Sequence, residues 1–104
     1  MSDEALENVI EKIGRWAEAE DQILELWLYG SRVKGTARID SDLDIAYAIS
    51  PFSTEEEKTQ FWDVVLPKWR IEIQEFSPWP IHLEAKIIVN EAVCDEGKKI
   101  YQAV

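Results

Sequence analysis

Two short apolar runs lie close together in the chain, ILELWLY at residues 23–29 and DLDIAYAIS at residues 42–50. The first ends at Gly30 and the second is closed by Pro51, so each has the length and punctuation of a strand. So short a connector makes them neighbours in one sheet, with parallel or antiparallel pairing left open. The second run carries Asp42 and Asp44. On a strand, alternate positions share a face, so these two carboxylates project side by side while Leu43 and Ile45 turn to the opposite face and pack against a helix. Dense aspartate on a half-buried strand is costly unless a cation neutralises it.

The flanking segments supply the helices and further strands. Leu6, Val9, Ile10, Ile13, Trp16 and Ala17 recur at spacings of three and four, which predicts an amphipathic helix over residues 3–19, capped by Ser2 or Asp3. Residues 31–36 suit a tight turn into a brief helix. Ser53-Thr54-Glu55-Glu56 opens a second long helix with a capping-box pattern, Ser53 reaching forward and Glu56 back. Phe61, Val65, Trp69, Ile73 and Phe76 continue the helical spacing past Pro67, where the helix is expected to kink or break. The part WRIEIQEF also alternates at Ile71 and Ile73 and could be a strand instead. A third strand is expected over residues 81–89 and a helix over 90–97 that stops at Gly97, with KKIYQAV as an edge strand. The fold class read from this order is α/β (α+β), one domain over residues 1–104.

Composition limits the function. With 104 residues and one cysteine, Cys94, the chain has neither an internal disulfide nor a zinc-type cysteine spacing. Cys94 and most of Trp16, Trp27, Trp62, Trp69 and Trp79 are expected in the core. The net charge of −10 repels a phosphate backbone, which argues against direct, non-specific nucleic-acid binding and favours a basic protein partner or a cation-bridged ligand. No long apolar run and no secretory leader are seen, so no membrane contact and a cytoplasmic location are expected.

Against that acidic background, Arg32, Lys34 and Arg38 are three of eleven basic residues, gathered within seven positions after Gly30-Ser31. A glycine at a strand end lets a ligand approach backbone N–H groups, and the Ser31 hydroxyl can donate to a phosphate oxygen. Gly35 lets the turn close. Asp42 and Asp44 are the hard oxygen donors that Mg²⁺ accepts while it shares its other positions with waters and substrate phosphates. A pair of such ions stabilises the attacking and leaving oxygens of an in-line phosphoryl displacement.

The combined pattern, Gly-Ser, ten residues, then Asp-x-Asp within GSRVKGTARIDSDLDI, resembles the nucleotidyltransferases of the DNA polymerase β superfamily, in particular the minimal nucleotidyltransferase domains. Gly35 and Ser41 extend the match, and the order of helices and strands carries it over nearly the whole chain. The resemblance implies a nucleotidyltransferase fold, a short mixed β-sheet backed by helices. It implies transfer of a nucleoside monophosphate, AMP from ATP in the first instance, to an acceptor hydroxyl. By position, Gly30, Ser31, Arg32, Lys34 and Ser41 would hold the nucleotide, and Asp42 and Asp44 would bind two Mg²⁺ ions and act in catalysis.

Such enzymes complete their site with a third carboxylate on a later strand. Here that strand reads PIHLEAK, with His82 where the resemblance places the acid and Glu84 two residues on, on the same face. Glu84 is the candidate third metal ligand and catalytic acid; the other reading makes His82 and Glu84 a local polar pair and leaves the third acid missing. Free-standing domains of this kind resemble antitoxins that adenylylate a tyrosine of a HEPN-domain ribonuclease toxin, so an NTP and a HEPN-type protein, or a second copy of the chain, are the implied partners. A catalytically weak interaction module that acts by binding is the alternative.

Overall fold

The computed structural model describes residues 4–34 and 41–103, with the backbone alone at 33 and 34. Helix α1 (Glu4–Glu18) leads into strand β1 (Ile23–Tyr29), which Gly30 ends before the single turn α2 (Ser31–Lys34). Strand β2 (Leu43–Ile49) is followed by a helical stretch in three parts: α3 (Glu55–Gln60), a π-helical turn (Phe61–Val65) and α4 (Leu66–Gln74). Strand β3 (Ile81–Ala85), helix α5 (Asn90–Glu96) and strand β4 (Lys98–Gln102) complete the described chain.

Among the described residues the four strands form one mixed sheet in the order β3-β2-β1-β4. β1 runs antiparallel to both β2 and β4, and β2 runs parallel to β3. The pairing left open by the sequence is therefore antiparallel, with Tyr29 opposite Asp44. The parallel step from β2 to β3 needs a long crossover, and the α3–α4 stretch provides it.

The two faces of the sheet are covered unequally. Leu26 and Leu28 of β1, Leu43, Ile45 and Tyr47 of β2 and Leu83 of β3 pack against Val9, Ile13 and Ala17 of α1 and Leu66, Trp69 and Ile73 of α4. Trp69 is at the centre of an aromatic group, with its ring 5.2 Å from Phe61, 5.9 Å from Trp16 and 6.2 Å from Tyr47. On the other face a much smaller cluster joins Tyr29 and Ala46 to Val93 of the short helix α5. That thin cover leaves the polar residues of the second face within reach of a ligand.

Pro67 explains the π turn. A proline donates no N–H, and its ring presses on the carbonyl four residues earlier, so the helix widens ahead of it. The Leu66 N–H reaches back five residues to the Phe61 carbonyl. That extra residue keeps Phe61 and Leu66, five apart, both in the core, each 1% exposed. The helix is widened rather than broken, and WRIEIQEF is helical as far as Gln74: Ile73 is buried while Ile71 is exposed, the opposite of what strand alternation requires.

Other expectations shift in detail. The capping box is formed one residue later than expected: Thr54 Oγ1 accepts from the Glu57 N–H, and Glu57 Oε2 accepts from the N–H groups of Thr54 and Ser53. The third strand stops at Ala85, because the Ile88 N–H turns back to the Ala85 carbonyl instead of extending the ladder. Cys94 is exposed on the outer side of α5, where Val93 takes the inward position. Trp62 is exposed as well. Ser2, Asp3, Gly35 and Arg38 lie outside the described residues.

Candidate active site

Gly30 is the turn on which the site is built. Its φ is +83°, the left-handed region in which a side chain is strained. A Cβ there would also collide with Oδ2 of Asp44, whose carboxylate occupies the space against the glycine. The antiparallel register explains the meeting: Tyr29, the residue before Gly30, is paired with Asp44, so the end of β1 folds over that carboxylate. The Gly-Ser step and the second aspartate of Asp-x-Asp are thus one packed unit.

Asp44 is half withdrawn from water. Burial pushes its carboxyl above the ordinary aspartate range; His82 opposes the shift and the neighbouring charge of Asp42 adds to it. Asp42 precedes the first paired residue of β2 and is exposed, so it lies at the strand's end and not within the sheet beside Asp44 as expected. Tyr29, buried beside these acids, has its phenol pushed up to about 12 by burial and by the charges of Asp44 and Glu84.

The parallel pairing of β2 with β3 decides which residue of PIHLEAK faces Asp44. His82 is directly opposite it, with Nδ1 3.5 Å from Oδ1. Glu84 is opposite Ala46, two pairs further along, and its Oε1 accepts from the adjacent Ala85 N–H at 3.1 Å. Among the described residues no three His, Cys, Asp or Glu side chains are gathered closely enough to hold a metal ion by themselves. Glu84 shares the face of His82 by the alternation of side chains along β3.

The residues expected around the nucleotide fall into two groups. Ser31 opens α2 beside Gly30 and is partly exposed, and Lys34 ends that helix. Arg32 is engaged within the protein: its guanidinium stacks 4.0 Å from the centre of the Trp79 ring, and Nη2 donates to the Ser41 carbonyl at 2.7 Å. Arg32 thereby ties the Gly-Ser turn to the approach to β2 and to the β3 side of the sheet. The Leu43 N–H, donating to the Pro80 carbonyl at 2.8 Å, closes the same corner.

Sequence reasoning passed over a second polar cluster on this face. Glu25 Oε1 accepts from Trp27 Nε1 at 2.6 Å and lies 3.5 Å from Lys86 Nζ and 3.9 Å from Lys99 Nζ. Both ammonium groups also stand over the Trp27 ring, at 4.8 and 5.1 Å. The Trp27 N–H, against the opposing effect of burial and with help from the two lysines, holds the Glu25 carboxyl below the ordinary range. The signal in the sequence was the alternation Glu25-Trp27-Tyr29 on one face of β1. The same holds for Tyr29, and Trp79 gave no local signal because its partner is remote in sequence.

A four-stranded mixed sheet with its longer helices on one face, and a glycine turn closed over an aspartate on the other, defines an α+β domain of the nucleotidyltransferase type. The family model described as "Polymerase beta, Nucleotidyltransferase" matches residues 11–103, and the chain belongs to that family. The fold is also similar to a solved structure described as "Crystal structure of the toxin-antitoxin with AMP-PNP". That similarity has a TM-score of 0.65 at 20% identity, over 93% of this chain and 73% of the other, and shows the shared fold. No curated protein matches this chain significantly.

Proposed function

We propose that the chain transfers a nucleoside monophosphate, AMP from ATP in the first instance, to a hydroxyl of a protein acceptor. The acceptor oxygen would bond to the α-phosphorus as the bond to the β-phosphate oxygen breaks, with pyrophosphate leaving and the hydroxyl proton passing to solvent or a nearby base. The observation that carries this reading is the packing of the Asp44 carboxylate into the space that any side chain on Gly30 would need. A triphosphate seated on the N–H groups and hydroxyl of the Gly30-Ser31 turn would lie against that carboxylate.

The donors fit a divalent ion such as Mg²⁺. Asp44 is partly buried and Asp42's charge bears on it, so the ionised pair carries a repulsion that a cation relieves. Asp42 and Asp44 would hold the ion, which when bound supplies charge neutralisation to the phosphates. Glu84, on the same face, is the remaining carboxylate for a second ion or for the acceptor hydroxyl. Ser31 and Lys34 would contact the phosphates, while Arg32 and Ser41 brace the turn. The partner proposed is a basic protein of the HEPN toxin type. The net charge of −10 and a similar fold in a structure described as a toxin-antitoxin with AMP-PNP support this.

Calorimetric titration of Mg-ATP into wild type and an Asp42→Asn/Asp44→Asn variant tests the reading. Saturable, Mg²⁺-dependent binding lost in the variant is expected; a folded wild type that binds no nucleotide overturns it. One observation favours a second reading, an interaction module acting by binding alone: an imidazole, not a carboxylate, faces Asp44. Its mark would be stoichiometric protection of a partner by Asp44→Asn without ATP.

A further inference from the structure

β3 presents a nitrogen donor where a carboxylate would be expected to complete an all-oxygen site. His82 is paired with Asp44 across two hydrogen-bonded strands, so the backbone, not a flexible loop, fixes their approach. The imidazole is 57% exposed and the Asp44 carboxylate 25%, so both keep contact with solvent. Glu84 is turned toward its own backbone two pairs away.

The spacing, that of an imidazole–carboxylate pair, is a few tenths of an ångström from that of two ligands of one ion. Donors about 2.1 Å from a shared cation stand about 3.0 Å apart when adjacent in an octahedron and about 3.4 Å apart in a tetrahedron. His82 Nδ1 and Asp44 Oδ1 are 3.5 Å apart. A few tenths of an ångström, within the reach of a small rotation of the exposed ring, bring both to bonding distance. Asp42, whose charge acts on Asp44, supplies further oxygen from the end of the strand. Phosphates and water would fill the rest, so no third protein ligand is required at the outset.

We infer that His82 and Asp44 ligate the same divalent cation, and that the site prefers a transition metal of the Mn²⁺ class over Mg²⁺. Mg²⁺ demands oxygen donors in near-ideal octahedral geometry, whereas imidazole suits the first-row transition ions, whose affinity for mixed nitrogen and oxygen sites rises from Mn²⁺ onward. The inference deepens the proposed function by naming the ion, but the binding of metal alone does not depend on nucleotide transfer.

The test titrates MnCl₂ and MgCl₂ into the folded chain, with and without AMP-PNP, following heat and the Mn²⁺ electron paramagnetic resonance signal. Wild type should bind Mn²⁺ at least about tenfold more tightly than Mg²⁺, and His82→Ala should lose about tenfold or more of the Mn²⁺ affinity with Mg²⁺ little changed. His82→Asp should bring the two ions to similar affinity, and Cys94→Ala, an exposed position on α5 outside the site, should leave Mn²⁺ affinity within about twofold. Pulsed resonance on histidine-labelled protein should show a manganese–nitrogen coupling that His82→Ala abolishes. His82 is the chain's one histidine, so the label reports a single site. Retention of Mn²⁺ affinity in His82→Ala, absence of the nitrogen coupling, or no Mn²⁺ binding by wild type under either condition overturns the inference. Normal Mg-ATP binding beside any of these leaves the proposed function standing. Mn²⁺ held through His82 without nucleotide binding does the reverse.

Discussion

Replacing Gly30 by alanine measures how tightly the turn and the acid are joined. The backbone at φ +83° costs an alanine about 1–2 kcal/mol in the left-handed region. The new Cβ also displaces Asp44 Oδ2, and forcing that side chain from its rotamer costs about 0.5–1.5 kcal/mol more. The total, about 1.5–3.5 kcal/mol, lowers the melting midpoint by roughly 6–28 °C for a domain of this size. Asp44→Ala removes the two closest atoms, Oδ2 and Cγ, and leaves Asp44 Cβ at 3.4 Å, an ordinary contact. In that background Gly30→Ala should cost only the backbone part, about 1–2 kcal/mol. Urea denaturation of the four proteins, followed through tryptophan fluorescence, yields the coupling from the double-mutant cycle. A coupling of about 1 kcal/mol is expected. Additivity within about 0.3–0.5 kcal/mol would show that glycine serves only the turn and that the carboxylate is not packed against it.

Asp44 should lower stability when no cation is bound. Its folded-state pKa is raised, so its favourable contribution is full below the ordinary aspartate pKa and is lost as pH rises through the raised value. Asp44→Asn should therefore melt higher than wild type at pH 7 in chelator, and the gap should close toward pH 3. Divalent cation should stabilise wild type alone. Equal midpoints at pH 7 would refute the burial argument. Arg32→Ala should cost about 2 kcal/mol, since it loses a charged hydrogen bond to the Ser41 carbonyl and the stack on Trp79. Arg32→Lys should recover less than half of it, because an ammonium lacks the planar fork; a lysine variant with the wild-type urea midpoint would contradict the bracing role.

The covalent order of the chain was enough to mark the strands and the candidate site, because each rests on local chemistry. ILELWLY and LDIAYAI are strands by their apolar runs and their stops, and α1 follows from residues three and four apart. Gly30-Ser31 and Asp42-x-Asp44 announce themselves by residue type and spacing. Some local competitions were closer. Thr54 and Ser53 are equally able to cap α3, and Ile71 with Ile73 reads as either period until burial in the core selects the helix. The π turn before Pro67 satisfies two demands at once: the proline's missing N–H, and the need to keep both Phe61 and Leu66 inside.

What only the tertiary structure decided was pairing between residues distant in the chain. Spacing in PIHLEAK gives His82 and Glu84 equal standing, since both point to one face. The parallel register puts His82 opposite Asp44 and moves Glu84 to Ala46, and a register is set by the packing of whole strands against α1 and α4. The stack of Arg32 on Trp79 and the closure of Lys86 and Lys99 over Trp27 have the same origin. Sequence fixes which donors a chain owns; the sheet, by holding neighbours about 4.8 Å apart in one register, fixes which of them can act on the same ligand.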